Sequence, residues 1–188
     1  MSISPASPEA RAPAGRNLQV RYAKADDASF ITDLSARVQD ALTLSGSLQE
    51  IGPLALAVVE SSVQGEHAYL LQLNGQRIGS VFVDPLDGIF SNTAKIEYVS
   101  WGVQELRGPF WYLHALMLEP AEQGHHFGLA FLEGVLRFMK MKHQAGTIVL
   151  DCWAGNEKLR RFYQEAGFQH HGDFAENDYK ISVYVFNL

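Results

Sequence analysis

Six residues, Gln123, Gly124, His125, His126, Phe127 and Gly128, form the stretch of this 188-residue chain best suited to holding an anion. Before them runs an almost wholly apolar segment, Trp111 to Leu118, bounded by Pro109 and Pro120, which reads as a strand buried on both faces. After them apolar residues recur at Phe131, Leu132, Val135, Leu136 and Met139, which is helical spacing. Arg137, Lys140, Lys142 and His143 fall toward the far end of that helix, where cations complement its dipole. The turn therefore opens a helix. Backbone N–H groups there lack intrahelical partners and point outward together, a nest that takes anions and commonly a pyrophosphate. The turn has no Gly-x-Gly-x-x-Gly, so a dinucleotide-binding reading fits poorly.

Other residues able to do chemistry flank this turn. His114 lies within the apolar strand, and imidazole is the side chain whose protonation changes near neutral pH. Glu119 closes the same run, and Asp151 ends the next one, Thr147 to Asp151. Cys152 follows with no matched base in the sequence, so it reads as a small apolar strand residue. Neither His125-His126 nor His170-His171 has the i, i+4 helical spacing of a zinc site, and no metal is expected.

A second marker runs from Asn156 through Tyr163 to Gly167 and Phe168. Asn156 stands in cap position, Leu159, Phe162 and Tyr163 share a helix face, and Gly167 ends the helix. In this order the two markers resemble the GNAT superfamily of acyl-CoA-dependent N-acetyltransferases. The pyrophosphate loop of that family reads Gln/Arg-x-x-Gly-x-Gly/Ala, met here from Gln123 to Gly128 with one departure, His126 where glycine is usual. A later Asn…Tyr…Gly-Phe segment is met at Asn156, Tyr163, Gly167 and Phe168. In element order the likeness extends over residues 17–188.

The resemblance implies direct transfer of an acetyl group from acetyl-CoA, the co-substrate, to a primary amine of a small molecule or peptide. It implies that Gln123, Gly124, His125, His126, Phe127, Gly128 and Leu129 cradle the CoA phosphates. His126 is expected in helical angles, its side chain turned from the phosphates. A bulged central strand, splayed from its neighbour, offers the free backbone of Leu116, Met117 and Leu118 to the pantetheine arm. Asn156 both caps its helix and hydrogen-bonds CoA, and Tyr163 matches the tyrosine often used as general acid toward the sulfur. The base stays open among His114, Glu119, Glu97 and an ordered water, while Asp151 could polarise water or bind a cationic amine. A non-catalytic acyl-CoA-binding module of the same fold is the alternative function.

The elements that must position these groups follow from pattern. Leu18 to Lys24 alternates as a strand, Asp26 or Asp27 caps a first helix, and a second helix spans Gly52 to Ser62. In the family, the link between those helices commonly shapes the acceptor pocket. Asn74-Gly75 between apolar runs marks a type I′ hairpin. Residues 84–109 form a long connection with a strand-like piece from Lys95 to Trp101, where Glu97, Tyr98 and Trp101 are candidate pocket residues. Gly146 ends the main helix, and Phe168 to Gly172 and Tyr179 to Phe186 are closing strands around a turn at 173–178. The fold expected is α/β: a mixed, mostly antiparallel sheet of about six or seven strands, splayed in the middle and flanked by helices.

Composition narrows the class. The Ser-, Pro- and Ala-rich residues 1–16 read as a flexible tail before one domain at 17–188. A net charge of −6 argues against nucleic-acid partners and mildly favours a cationic small molecule. One cysteine excludes an internal disulfide, and no apolar run approaches the ~20 residues that span a bilayer. With no secretory layout at the start, the expectation is a cytoplasmic protein without a membrane partner. A homodimer, through the closing strands or the 84–109 connection, is left open.

Overall fold

The computed structural model describes residues 17–86, 101–106, 108–176 and 178–188. Its hairpin joins β2 (Ala68–Leu73) to β3 (Gln76–Pro85) through Asn74 and Gly75. Both turn residues are left-handed, φ 51° and 83°, as a type I′ turn requires. A bulge between Leu71 and Gln72 shifts the pairing, so that Leu71 faces Gly79 and Gln72 faces Arg77. β1 (Leu18–Tyr22) lies antiparallel beside β2, and β4 (Phe110–Leu118) antiparallel beside β3. β5 (Thr147–Trp153) runs parallel to β4. β7 (Tyr179–Asn187) separates β5 from β6 (Gln169–Glu176). The result is a mixed, mostly antiparallel sheet of seven strands in the order β1-β2-β3-β4-β5-β7-β6.

Helices cover both faces because central strands are apolar toward both sides, as Leu70 and Phe82 on one face and Leu71 and Val81 on the other show. α1 (Ala28–Leu44) and α2 (Leu56–Gln64) bury Ile31, Leu34 and Val59 against Leu70, Phe82 and Met117. α3 (Phe127–Lys142) packs Phe131, Leu132 and Val135 on the opposite face, against Val20, Val81 and Ile148. α4 (Glu157–Glu165) adds Tyr163 to that second cluster. Each such fully buried Leu, Ile or Phe contributes roughly 1.5–3 kcal/mol. No helix among the described residues is long and apolar enough to cross a membrane.

Before α1 the chain makes a 3-10 turn, and the buried Asp27 accepts from the Lys24 amide at 2.8 Å and from Arg21 at 2.6 and 3.1 Å. Burial alone would raise its pKa, but Arg21, the Lys24 amide and Arg77 more than offset this and leave it lowered. The pair therefore supports the fold above the ordinary carboxylate range and loses that support as pH falls.

Two irregularities in the middle of the sheet make the site. β4 and β5 pair only from Phe110–Tyr112 to Thr147–Val149 and diverge beyond. β4 also bulges: Ser80 faces Met117 while Phe82 faces His114, so Ala115 and Leu116 together oppose Val81. Ala115 takes φ 47°, a left-handed setting that costs a non-glycine residue about 1–2 kcal/mol.

Several expectations are corrected. Trp111 to Leu118 is not buried on both faces: Trp111, Leu113 and Met117 are, while Tyr112, His114, Leu116 and Leu118 are half-buried, because the divergence uncovers them. The main helix ends at Lys142, and Gly146 instead lets the chain pass Trp111: at φ 138° a Cβ there would clash with that ring and with the Pro109 carbonyl. α2 begins at Leu56 rather than Gly52. The preceding backbone is tied to α1, with the Gln39 side chain accepting from Ile51 and Gly52 and the Ser35 hydroxyl from Leu54. β6 runs to Glu176, beyond the expected turn start at 173, since the Asp173 carboxylate accepts from Ser182 across the strand pair. The tail and the Lys95 piece, including Glu97 and Tyr98, lie outside the described residues. Trp101 is buried beside Val149, Ile181 and Val183, as ordinary packing.

Candidate active site

The divergence of β4 from β5 opens a cleft of about 1630 Å³ that passes through the sheet. On the α3 side its wall is built from Gln123, Gly124, His126, Gly128 and Leu129 and, from α4, Asn156, Lys158, Arg161, Phe162 and Tyr163. On the α1 side it is built from α1, α2, their connection, and His67, Asp84, Tyr112, His114 and Asp151. Leu116 and Leu118 line the passage between.

The turn at the head of α3 is a nest. Gly124 has φ 83° and no atom within 4 Å of where a Cβ would stand, so its backbone faces open space. His126 caps α3 at φ 63°, ψ 10°, in left-handed rather than the expected helical angles. That setting explains why glycine is usual at this place in the resembled family: histidine pays a strain of about 1–2 kcal/mol there. Accordingly His126→Gly should raise the unfolding free energy by about 0.5–1 kcal/mol and the midpoint by about 1–4 °C, with CoA affinity equal or tighter. A lowered midpoint in thermal denaturation would show that the imidazole itself holds the turn. Anions are favoured here by the open amides, and Lys158 and Arg161 add positive charge to the same wall.

α4 is fixed at its head by Asn156, whose Oδ1 accepts from the Leu159 amide at 3.0 Å. This register turns Tyr163 inward, where it is only 6% exposed and packs against Phe168 and Tyr184. Burial first, then the neighbouring Cys152 and Asp151, push its pKa up, so the phenol keeps its proton. No hydrogen bond from its hydroxyl is found among the described residues. Cys152 is wholly buried, and burial pushes its thiol up to about 12. A thiol so placed is a poor nucleophile.

On the opposite side one carboxylate organises two imidazoles. Asp84 Oδ2 meets His114 Nε2 at 2.5 Å, and its Oδ1 meets His67 Nδ1 at 2.9 Å. The His114 ring is stacked between Phe82, at 5.3 Å, and Tyr112, at 5.1 Å. Tyr112 in turn donates to Asp151 at 2.5 Å. Burial pushes the Asp151 carboxyl up, and the Tyr112 bond and His114 offset part of that. The roof is latched across the divergence: Gln49, on the link between α1 and α2, accepts from the Trp153 amide at 2.8 Å.

Of the residues singled out from sequence, His114, Leu116, Leu118, Gln123, Gly124, His126, Gly128, Leu129, Asn156, Tyr163 and Asp151 meet in this one cleft. Four of them are placed otherwise. Glu119 is bound by Arg37 at 2.6 and 3.1 Å and is not on the cleft wall. Met117 and Phe127 bury their side chains in opposite cores, so only their backbone is left to serve a ligand. His125 is exposed beside Phe127. His170 and His171 are engaged with Asp173 and with the Trp101 carbonyl. His67, Asp84 and Tyr112 were not legible as site residues. The signal for the first two is the hairpin itself, whose outer ends bring residues 67 and 84 together, as the Val83 amide bonded to the His67 carbonyl shows.

The β4 edge beyond Tyr112 has backbone not taken up by β5, and the turn before α3 lines the same cleft as Lys158 and Arg161, a donor set whose chemistry suits an extended ligand with an anionic end.

A model of the acetyltransferase (GNAT) family matches residues 45–168. Among solved structures, an acetyltransferase of the GNAT family from Listeria monocytogenes 4b F2365 superposes with a TM-score of 0.73 at 22% identity, covering 93% of this chain and 97% of that one. The ribosomal L7/L12 alpha-N-protein acetyltransferase in complex with coenzyme A gives 0.62 at 14% identity, covering 90% and 93%. An agmatine N-acetyltransferase mutant gives 0.63 at 16% identity, covering 91% and 99%. These likenesses are of fold. No curated protein sequence matches the chain.

Proposed function

This chain belongs to the GNAT acetyltransferase family, and from that premise we propose that it moves an acetyl group from acetyl-CoA directly to the primary amine of a small molecule or peptide. The observation that carries the reading is the divergence of β4 from β5, which joins an anion nest on one face of the sheet to a held imidazole on the other. Similar structures are named for protein α-amine and agmatine acetylation, both amine acceptors.

Acetyl-CoA supplies the acyl group as a thioester, activated for attack by an amine. The nest from Gln123 to Leu129 holds its phosphates, Asn156 and the free edge of Leu116–Leu118 align its arm, and the bulge turns backbone donors toward the carbonyl. His114 is the base. Donation of its Nε2–H to Asp84 leaves Nδ1 with the lone pair, and that atom removes the ammonium proton. Tyr163 stays protonated and gives its proton to the departing sulfur as the C–S bond breaks, and the second proton, shed by the nitrogen as it becomes the amide, restores the phenol. Asp84 and His67 orient the base, in the manner of a carboxylate behind a catalytic histidine. With Cys152 buried and its thiol held protonated, transfer is direct, without an acyl-cysteine.

The test is release of CoA thiol from acetyl-CoA over a panel of primary amines. Amine-dependent release supports the proposal. Tight CoA binding without release over the whole panel would leave the alternative, an acyl-CoA-binding module.

A further inference from the structure

We infer that the acceptor is a primary amine carried on an apolar body, an alkyl- or arylalkylamine or a peptide N-terminus followed by an apolar residue, rather than a polyamine or a free amino acid. This rests on the transfer reading above and deepens it. The half of the cleft on the α1 side has a wall of Val38, Leu42, Ile51, Pro53, Leu54 and Val58. Its floor is polar but already partnered. Asp84 is held by two imidazoles, and Asp151 is bonded by Tyr112 and raised by burial. That leaves Glu50, which is exposed, as the one further carboxylate among the described residues lining this half.

A polyamine needs free carboxylates for its second charge, and an amino acid needs a cation for its carboxylate. No lysine or arginine among the described residues lines this half: Lys158 and Arg161 stand on α4, on the other side of the sheet. Desolvating an unpaired charge against an aliphatic wall is costly. Four large hydrophobics are exposed among the described residues, and three of them, Leu44, Leu48 and Leu56, belong to the same α1–link–α2 segment that supplies this wall, though none of the three lines the cleft. In formal count this half is acidic, like the whole chain, but two of the three carboxylates among its described residues, Asp84 and Asp151, already have partners.

The experiment is thiol release from acetyl-CoA with straight-chain amines from ethylamine to hexylamine, phenethylamine, spermidine and free lysine. In parallel, the same amines are titrated into the protein saturated with desulfo-CoA. The expected result is a rise in kcat/KM and in affinity of up to about fourfold per added methylene, with spermidine and lysine the poorest. Ala57→Asp adds a carboxylate on the exposed, cleft-lining start of α2, where an acid also suits the helix dipole, so folding is not endangered. It should flatten the alkyl series and improve spermidine. A flat series, or a preference for spermidine or lysine, overturns the inference while leaving acetyl transfer in place. Affinity that rises with chain length but with no thiol release supports the apolar pocket and overturns the transfer reading. Absence of binding by every alkylamine overturns the inference itself.

Discussion

Replacing His114 with glutamine lowers kcat/KM for the amine by about 10²–10⁴-fold and leaves binding of desulfo-CoA within about threefold. The size follows from the part assigned to the imidazole. An ammonium cannot attack a carbonyl until it loses a proton, and the imidazole proposed to take it, His114, is held at the floor of the cleft, between Phe82 and Tyr112 and against Asp84. Glutamine keeps a polar group of similar reach and can still bond Asp84, so the floor stays packed. The measurement is steady-state kcat/KM for the amine in both proteins, beside the desulfo-CoA affinity of each. A rate like wild type would pass the role to water or to Asp151. Glu119, tied to Arg37, is not available as the substitute.

Tyr163→Phe should lower kcat by about 10²-fold while KM for acetyl-CoA changes little. The ring is buried among Phe162, Phe168 and Tyr184, and phenylalanine preserves those contacts, so stability should hold. What is lost is one O–H. Because burial raises its pKa, the wild-type phenol remains an acid beyond the ordinary tyrosine range. The alkaline limb of kcat should therefore lie above that range, not within it. Rescue by an acyl donor with a more acidic leaving thiol should narrow the gap between variant and wild type, which a purely structural role would not do. Equal kinetics in the two proteins would remove Tyr163 as the acid.

How much of this was legible in the sequence depended on how local each signal is. The nest, the Asn156 cap and the Asn74-Gly75 turn are set by a few neighbouring residues, and each appears where pattern placed it. The bulge at Ala115 was not readable from residue types, since alanine carries no mark of a left-handed backbone; only the family resemblance implied a bulged strand. Nor was the His67–Asp84–His114 cluster, because it joins the residue before β2, the end of β3 and the middle of β4. Counting down the hairpin from Asn74-Gly75 misses the bulge at Leu71, and a slip of one residue sends a side chain to the other face. The apolar wall on the α1 side likewise depends on where the α1–α2 link is tied, to Gln39 and Ser35 on α1 and through Gln49 to Trp153 far along the chain. Gly146 looked like a helix end by its type. Its use is a close approach to Trp111, a contact no local pattern records.

If the divergence between β4 and β5 seats the acyl-CoA, with its phosphates on the turn before α3, amide hydrogen exchange with and without saturating desulfo-CoA will show it. Exchange should slow in two segments together, 113–118 on the free edge of β4 and 124–129 at the head of α3. Binding that protects neither segment, or protects only residues elsewhere in the sheet, would contradict that placement.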